Sequence, residues 1–240
     1  MARDKNGRDE GNLPARSSRS DVDAFLAKLR SAPPPSGGGR LMFAMDATAS
    51  REPSWDRAIK IQGEMFLATE ALGGLSVQLV WYRGLDEFGE GPWSRSAKDL
   101  LARMSAVVCR GGQTQIVRVL QHAAAETRKQ KISALVFVGD AMEENIDRLC
   151  HAGGELGLLG VPAFIFHEGG DPVARKAFDE VARLTKGACV PFDAHAADQL
   201  RDLLAAVAVF AAGGRRALED FGRKRGGAAL MLTHRLSGKT

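Results

Sequence analysis

Leu41-Met42-Phe43-Ala44-Met45-Asp46-Ala47-Thr48-Ala49-Ser50 is the stretch on which the fold turns. Five apolar residues run without alternation into a single aspartate. A run of this kind predicts a strand buried on both faces, the habit of central strands in parallel sheets. Ala134-Leu135-Val136-Phe137-Val138 repeats the pattern and runs into Gly139-Asp140. A third apolar strand is expected over 161–166.

Outward from these strands the periodicity changes. Ala58, Ile61, Met65, Ala68 and Leu72 recur at spacings of three and four, and Gly73-Gly74 follows. That is an amphipathic helix with a glycine stop. A strand is expected over 76–82, then a turn and a short edge strand around 89–93. A helix over 98–108 and the loop Arg110-Gly111-Gly112-Gln113-Thr114 lead into a helix over 115–129. Helices are further expected over 143–156, 172–185 and 197–212, with a last short strand at 189–190. Strands alternating with helices force parallel pairing and right-handed crossovers. The expected fold class is therefore α/β, a doubly wound, mostly parallel central sheet with helices on both faces. Ligand sites in such sheets lie at the carboxyl ends of the strands.

The chain has 240 residues, 45% of them hydrophobic and 26% charged, enough for one sizeable core with extensions or for two small domains. Its net charge of +4 is unevenly spread. Residues 1–40 carry +3 and residues 214–240 carry +5, leaving −4 on the body between them. Residues 1–39 read as a polar extension holding one short helix, with Ser20-Asp21 as its cap and Ala24, Phe25, Leu26 and Leu29 as its stripe. The linker Pro33-Pro34-Pro35-Ser36-Gly37-Gly38-Gly39 ends that extension. The folded domain is expected to begin at about Arg40 and to span 40–212, with a basic tail over 213–240.

No apolar stretch approaches the ~18–20 residues that span a bilayer, and the polar start of the chain does not read as a secretory signal. Cys109, Cys150 and Cys189 form an odd set without C-x-x-C spacing. They are expected to be thiols in a reducing cytoplasm, with no disulfide framework and no zinc site.

Three loops at the expected carboxyl edge concentrate hard oxygen donors. The first carries Asp46, Thr48 and Ser50, alternate residues that point the same way in an extended segment. The second is Gly111-Gly112-Gln113-Thr114, where glycines let backbones approach closely and Thr114 adds a hydroxyl. The third holds Asp140, with Glu143 and Glu144 close behind. Two carboxylates and three hydroxyls, without His or Cys, suit a divalent cation such as Mg²⁺. Water or a partner's carboxylate would complete its shell. Each piece also has a plainer reading: Thr114 as a helix N-cap, Asp140 to Glu143 as a capping box, Asp46 as an ordinary strand end.

The order of the three pieces over residues 40–212 resembles the von Willebrand factor A (VWA) domain, whose D-x-S-x-S, threonine and aspartate loops form a metal-ion-dependent adhesion site. The resemblance implies that Asp46, Thr48, Ser50, Thr114 and Asp140 bind Mg²⁺ (or Mn²⁺ or Ca²⁺), the carboxylates directly or through water. It also implies that a protein partner supplies an acidic side chain. Thr48 stands where the family usually has serine; the hydroxyl is kept and a methyl added.

Enzyme chemistries fare worse. A haloacid-dehalogenase-type phosphatase needs a second carboxylate where Thr48 stands. No G-x-x-x-x-G-K-[ST], G-x-G-x-x-G or G-x-S-x-G motif follows a strand. His167-Glu168 is read as a solvated loop pair, and Cys150-His151 as packing rather than a dyad. In the tail, Arg215, Arg216, Arg223, Lys224 and Arg225 are candidate partner-binding residues, with nucleic acid reached only through them. The expected protein is thus no enzyme but a cytoplasmic, bacterial-type VWA binding module, and the resemblance implies ATPase or chaperone-like machinery as partner. The alternatives are a metal-independent scaffold and a metal-assisted phosphohydrolase.

Overall fold

A computed structural model describes residues 19–32, 39–53, 55–56, 59–60, 63, 66–67, 75–192, 202, 204–214 and 217. The strands are β1 (Arg40–Asp46), β2 (Ser76–Arg83), β3 (Glu87–Glu90), β4 (Ala134–Gly139), β5 (Ala163–Glu168) and β6 (Ala188–Phe192). They form one sheet in the order β3-β2-β1-β4-β5-β6. Only the β2–β3 pairing is antiparallel. β1 and β4, the two strands read first in the sequence, lie at the centre, and every residue of both is buried.

Alternate residues of these strands supply two cores. Leu41, Phe43, Met45, Val136, Val138, Phe164 and Phe166 face one side. Met42, Ala44, Leu135, Phe137 and Ile165 face the other. The second face is covered by α3 (Ile116–Lys129), α4 (Ile146–Leu158) and α5 (Pro172–Leu184), through side chains such as Leu120, Leu149 and Phe178. The first is covered by α1 (Arg19–Ser31), α2 (Ala97–Ser105), the helical residues described between 52 and 67, and the helix at 204–214. Coverage on both faces is the doubly wound arrangement expected from the alternation.

The boundary at Arg40 needs correcting. α1 is part of the core: Phe25, Leu26 and Leu29 are buried, and the Phe25 ring lies 5.6 Å from Phe164 and 5.5 Å from Phe166. Its short apolar stripe finds cover on the β5–β6 half of the sheet. Burying a side chain of this size is worth about 1.5–3 kcal/mol, so the folded unit starts before the linker.

Two element ends moved for local reasons. β5 begins at Ala163, two residues later than expected, because α4 ends in a Schellman turn. There Val161 N–H bonds the Leu156 carbonyl, Gly160 N–H bonds that of Gly157, and Gly160 sits at φ 68°. α4 itself starts at Ile146 rather than 143, with the Asn145 side chain accepting from Arg148 N–H at 3.0 Å. Ala58, Ile61, Met65, Ala68, Leu72 and the Gly73-Gly74 stop lie outside the described residues, as do residues 197–201 of the closing helix. Among the described residues no helix is long and apolar enough to cross a membrane.

Candidate metal centre

β1 delivers Asp46 to the carboxyl edge fully buried. The parallel register sets Tyr82 of β2 directly beside it. The Tyr82 hydroxyl donates to Asp46 Oδ2 at 2.9 Å, and the Thr48 N–H donates to Oδ1 at 2.7 Å. Burial pushes the Tyr82 phenol well above its usual range, and the neighbouring Asp46 charge adds to the effect. The phenol therefore stays protonated and acts as a donor. Burial also raises the Asp46 pKa; the Thr48 bonds and the Arg51 guanidinium oppose it, while Asp140 reinforces it.

After Asp46 the chain is pinned on both sides. Ala47 N–H bonds the Tyr82 carbonyl at 2.9 Å, and Arg110 N–H bonds the Ala47 carbonyl at 3.0 Å. The latter contact joins the first loop to the second. Thr48 precedes a single 3₁₀ turn, Ala49–Arg51, and its Oγ1 lies 3.0 Å from Ser50 Oγ. Two of the hydroxyl donors are thus side by side.

In the second loop only one glycine is sterically required. A Cβ on Gly112 would lie 1.9 Å from the Gly84 carbonyl oxygen, whereas one on Gly111 would meet open space. Thr114 is buried and is not a helix cap: Gln115 holds the cap position, without a side-chain bond. Thr114 Oγ1 instead accepts from Glu143 N–H at 3.0 Å, and the Glu143 carboxylate accepts from Thr114 N–H at 3.1 Å. This is capping-box reciprocity between two loops, so the box expected from Asp140 to Glu143 does not form. Glu144 caps α3 from outside, accepting from Ile116 N–H and, at 2.9 Å, from Val117 N–H. A carboxylate on a helix N-terminus is stabilised by the exposed N–H groups and the dipole.

The third loop follows Gly139, whose hypothetical Cβ would fall 3.5 Å from that of Asp46. The tighter constraint is the Phe137 ring, 2.7 Å from that Cβ, so glycine at the end of β4 makes room for the ring. Asp140 Oδ1 is inaccessible to solvent and has no hydrogen-bond partner among the described residues. Buried polar atoms are nearly always paired, with water or an ion where protein donors are lacking. Thr114 Oγ1, accepting one N–H, keeps a lone pair to share. The donor set therefore fits a hard divalent cation. Among the described residues no cluster of three or more His, Cys, Asp or Glu is arranged for a metal, so a cation here would depend on the hydroxyls and on water.

Beneath these loops lies a residue to which the sequence reading gave no role. Arg51 is almost fully buried. Its Nη1 donates to the Asp46 carbonyl at 2.8 Å and reaches the Val138 carbonyl at 3.4 Å, and its Nε donates to Glu168 Oε2 at 2.9 Å. The reading of His167-Glu168 as a solvated pair is corrected accordingly. Glu168 is ion-paired with Arg51. His167 is buried edge-on to Phe178, 5.3 Å away, and burial lowers its pKa. An isolated charge closing a buried strand on the functional edge was the available signal. All three cysteines are free, and burial pushes the Cys109 thiol up to about 11. Arg215, Arg216, Arg223, Lys224 and Arg225 lie outside the described residues.

A doubly wound sheet with an antiparallel edge strand, and with oxygen donors gathered from the loops after β1 and β4 and before α3, defines the class. The chain has the von Willebrand factor A fold. It is similar to the VWA domain of SpRpn10, at TM-score 0.57 and 14% identity over 70% of this chain and 94% of that one. It is also similar to a von Willebrand factor type A protein from Catenulispora acidiphila, at 0.57 and 16% over 72% of this chain and 43% of that one. A third similar structure is proximal thread matrix protein 1 from the mussel byssus with a zinc-occupied MIDAS motif, at 0.58 and 15% over 72% and 46%. The chain thus spans less than half the length of the last two. No family model matches the sequence, and no curated protein matches it.

Proposed function

We propose that this protein is a metal-dependent protein-binding module. A divalent cation, Mg²⁺ before Mn²⁺ or Ca²⁺, would be held by Asp46, Thr48, Ser50, Thr114 and Asp140. When bound, the cation supplies a double positive charge that attracts a carboxylate from a protein partner. The observation that carries this reading is the inaccessible, unpartnered Oδ1 of Asp140 in the loop cluster that holds Asp46 and the hydroxyls. The zinc-occupied MIDAS of a structure with the same fold supports it.

The remaining residues prepare the site. Tyr82 and the Thr48 N–H orient the Asp46 carboxylate, and the exchange between Thr114 and Glu143 fixes the second loop against the third. We read the module as non-catalytic, because Thr48 stands where a haloacid-dehalogenase-type phosphatase needs its second carboxylate. A cytoplasmic setting agrees with three free thiols. An exposed Asp or Glu on ATPase or chaperone-like machinery is the kind of partner the resemblance implies.

Mg²⁺ titration tests the reading. At a hundredfold excess over Kd, linkage adds about 2.7 kcal/mol, which raises Tm by roughly 5–10 °C at this size. Asp46→Asn and Asp140→Asn should each abolish the rise; an equal response in both variants refutes the site. A second reading, a metal-independent scaffold, draws on the fact that both Asp46 oxygens already accept hydrogen bonds. No Mg²⁺ or Mn²⁺ heat in calorimetry, with partner capture unaffected by chelator, would favour it.

A further inference from the structure

We propose that Arg51 is the positioning residue of the cation site, acting with Glu168 as its anchor; this rests on the metal reading above. One guanidinium bonds the last carbonyl of β1, approaches that of Val138 in β4 and grips a carboxylate at the end of β5. β1 and β4 are the strands that deliver Asp46 and Asp140. The side chain therefore ties together the ends of both carboxylate-bearing strands, and Glu168 holds it from the third.

Its planar fork matters. Nε and Nη2 both approach Glu168 Oε2, each at 2.9 Å, while Nη1 serves the carbonyls. A lysine ammonium cannot hold this three-way geometry. The guanidinium and the Glu168 carboxylate also cancel in charge, so the pair leaves the negative charge of Asp46 and Asp140 available to a cation. Arg51 follows D-x-T-x-S directly, and its 3₁₀ turn folds it back under the loop that it braces.

Positioning and charge make opposite predictions. If Arg51 acted mainly as a competing positive charge, Arg51→Met would tighten Mg²⁺. If it positions, affinity falls, and it falls also in Arg51→Met/Glu168→Gln, which leaves the net charge unchanged. Loss of a group that orients metal ligands typically weakens affinity about 10–100-fold.

The experiment is calorimetric titration of the full chain with Mg²⁺ alone, on wild type, Arg51→Lys, Glu168→Gln, Arg51→Met and the double variant, each first shown folded by circular dichroism. The expected result is at least about tenfold weaker binding in Glu168→Gln and in the double variant, with Arg51→Lys intermediate. Leu156→Ala, a core truncation near the carboxyl end of α4, should lose stability and keep wild-type affinity. Should Arg51→Met not fold, Arg51→Lys, which keeps the charge and loses the fork, still decides. Unchanged or tighter binding in these variants overturns the role of Arg51 and leaves the cation site standing. Absence of Mg²⁺ binding in wild type overturns both.

Discussion

Replacing Tyr82 by Phe removes one oxygen and leaves the ring, so the packing of Tyr82 on Phe137, 6.3 Å between centroids, is retained. What is lost is a 2.9 Å hydrogen bond to a carboxylate with no solvent exposure. A bond to a charged acceptor contributes about 1.5–3 kcal/mol, and a buried acceptor left unsatisfied falls toward the upper end. For a chain of this length that lowers Tm by roughly 3–12 °C. Urea unfolding of both proteins measures the difference; a loss below about 0.5 kcal/mol refutes the view that Tyr82 holds Asp46. A second measurement needs no mutation. Tyr82 is the only tyrosine in the chain, so phenolate absorbance reports on it alone. The folded pKa lies above the unfolded value near 10. Its contribution to stability is therefore complete below pH ~10 and is lost as pH rises beyond it. The native protein should show no phenolate until it unfolds, and ordinary titration near 10 would contradict the burial argument. Tyr82→Phe should flatten the fall in stability above pH ~10.

Two further tests address the fold. Phe25→Ala should lower stability by about 3–5 kcal/mol in denaturant unfolding if α1 belongs to the core; a loss below about 1 kcal/mol would return that helix to the extension. Lys186, at φ 58°, occupies the left-handed position of the Schellman turn that ends α5, where Gly187 N–H bonds the Ala182 carbonyl. Lys186→Gly should raise stability by roughly 0.5–1 kcal/mol, the relief of strain being partly offset by a freer unfolded chain; a lower midpoint would count against that geometry.

What could be read from the sequence was what depends on neighbours along the chain. Unbroken apolar runs revealed β1 and β4 as central, because only strands covered on both faces tolerate them. The three donor loops followed from the rule that sites gather where parallel strands end. What escaped was set by approach across the sheet. Arg51 meets Glu168 across 117 positions, and Glu144 reaches back 27 positions to cap α3. The Tyr82–Asp46 bond follows from parallel register, which no local pattern encodes. α1 was assigned to an extension because three prolines and three glycines follow it, and a linker signal says nothing about where the helix before it docks.

The docking of α1 also has a consequence for how the chain is made. Phe25 rests on Phe164 and Phe166, residues translated nearly 140 positions later. At roughly 5–20 residues per second, a ribosome needs about 7–30 s to deliver them. Throughout that interval the face of Phe25, Leu26 and Leu29 has no β5 to cover it. Nascent chains stalled before residue 166, and far enough beyond it for β5 to have left the ribosome, should therefore differ in how strongly holdase chaperones crosslink near Phe25. The stripe that seals one half of the finished sheet is thus bare for much of synthesis.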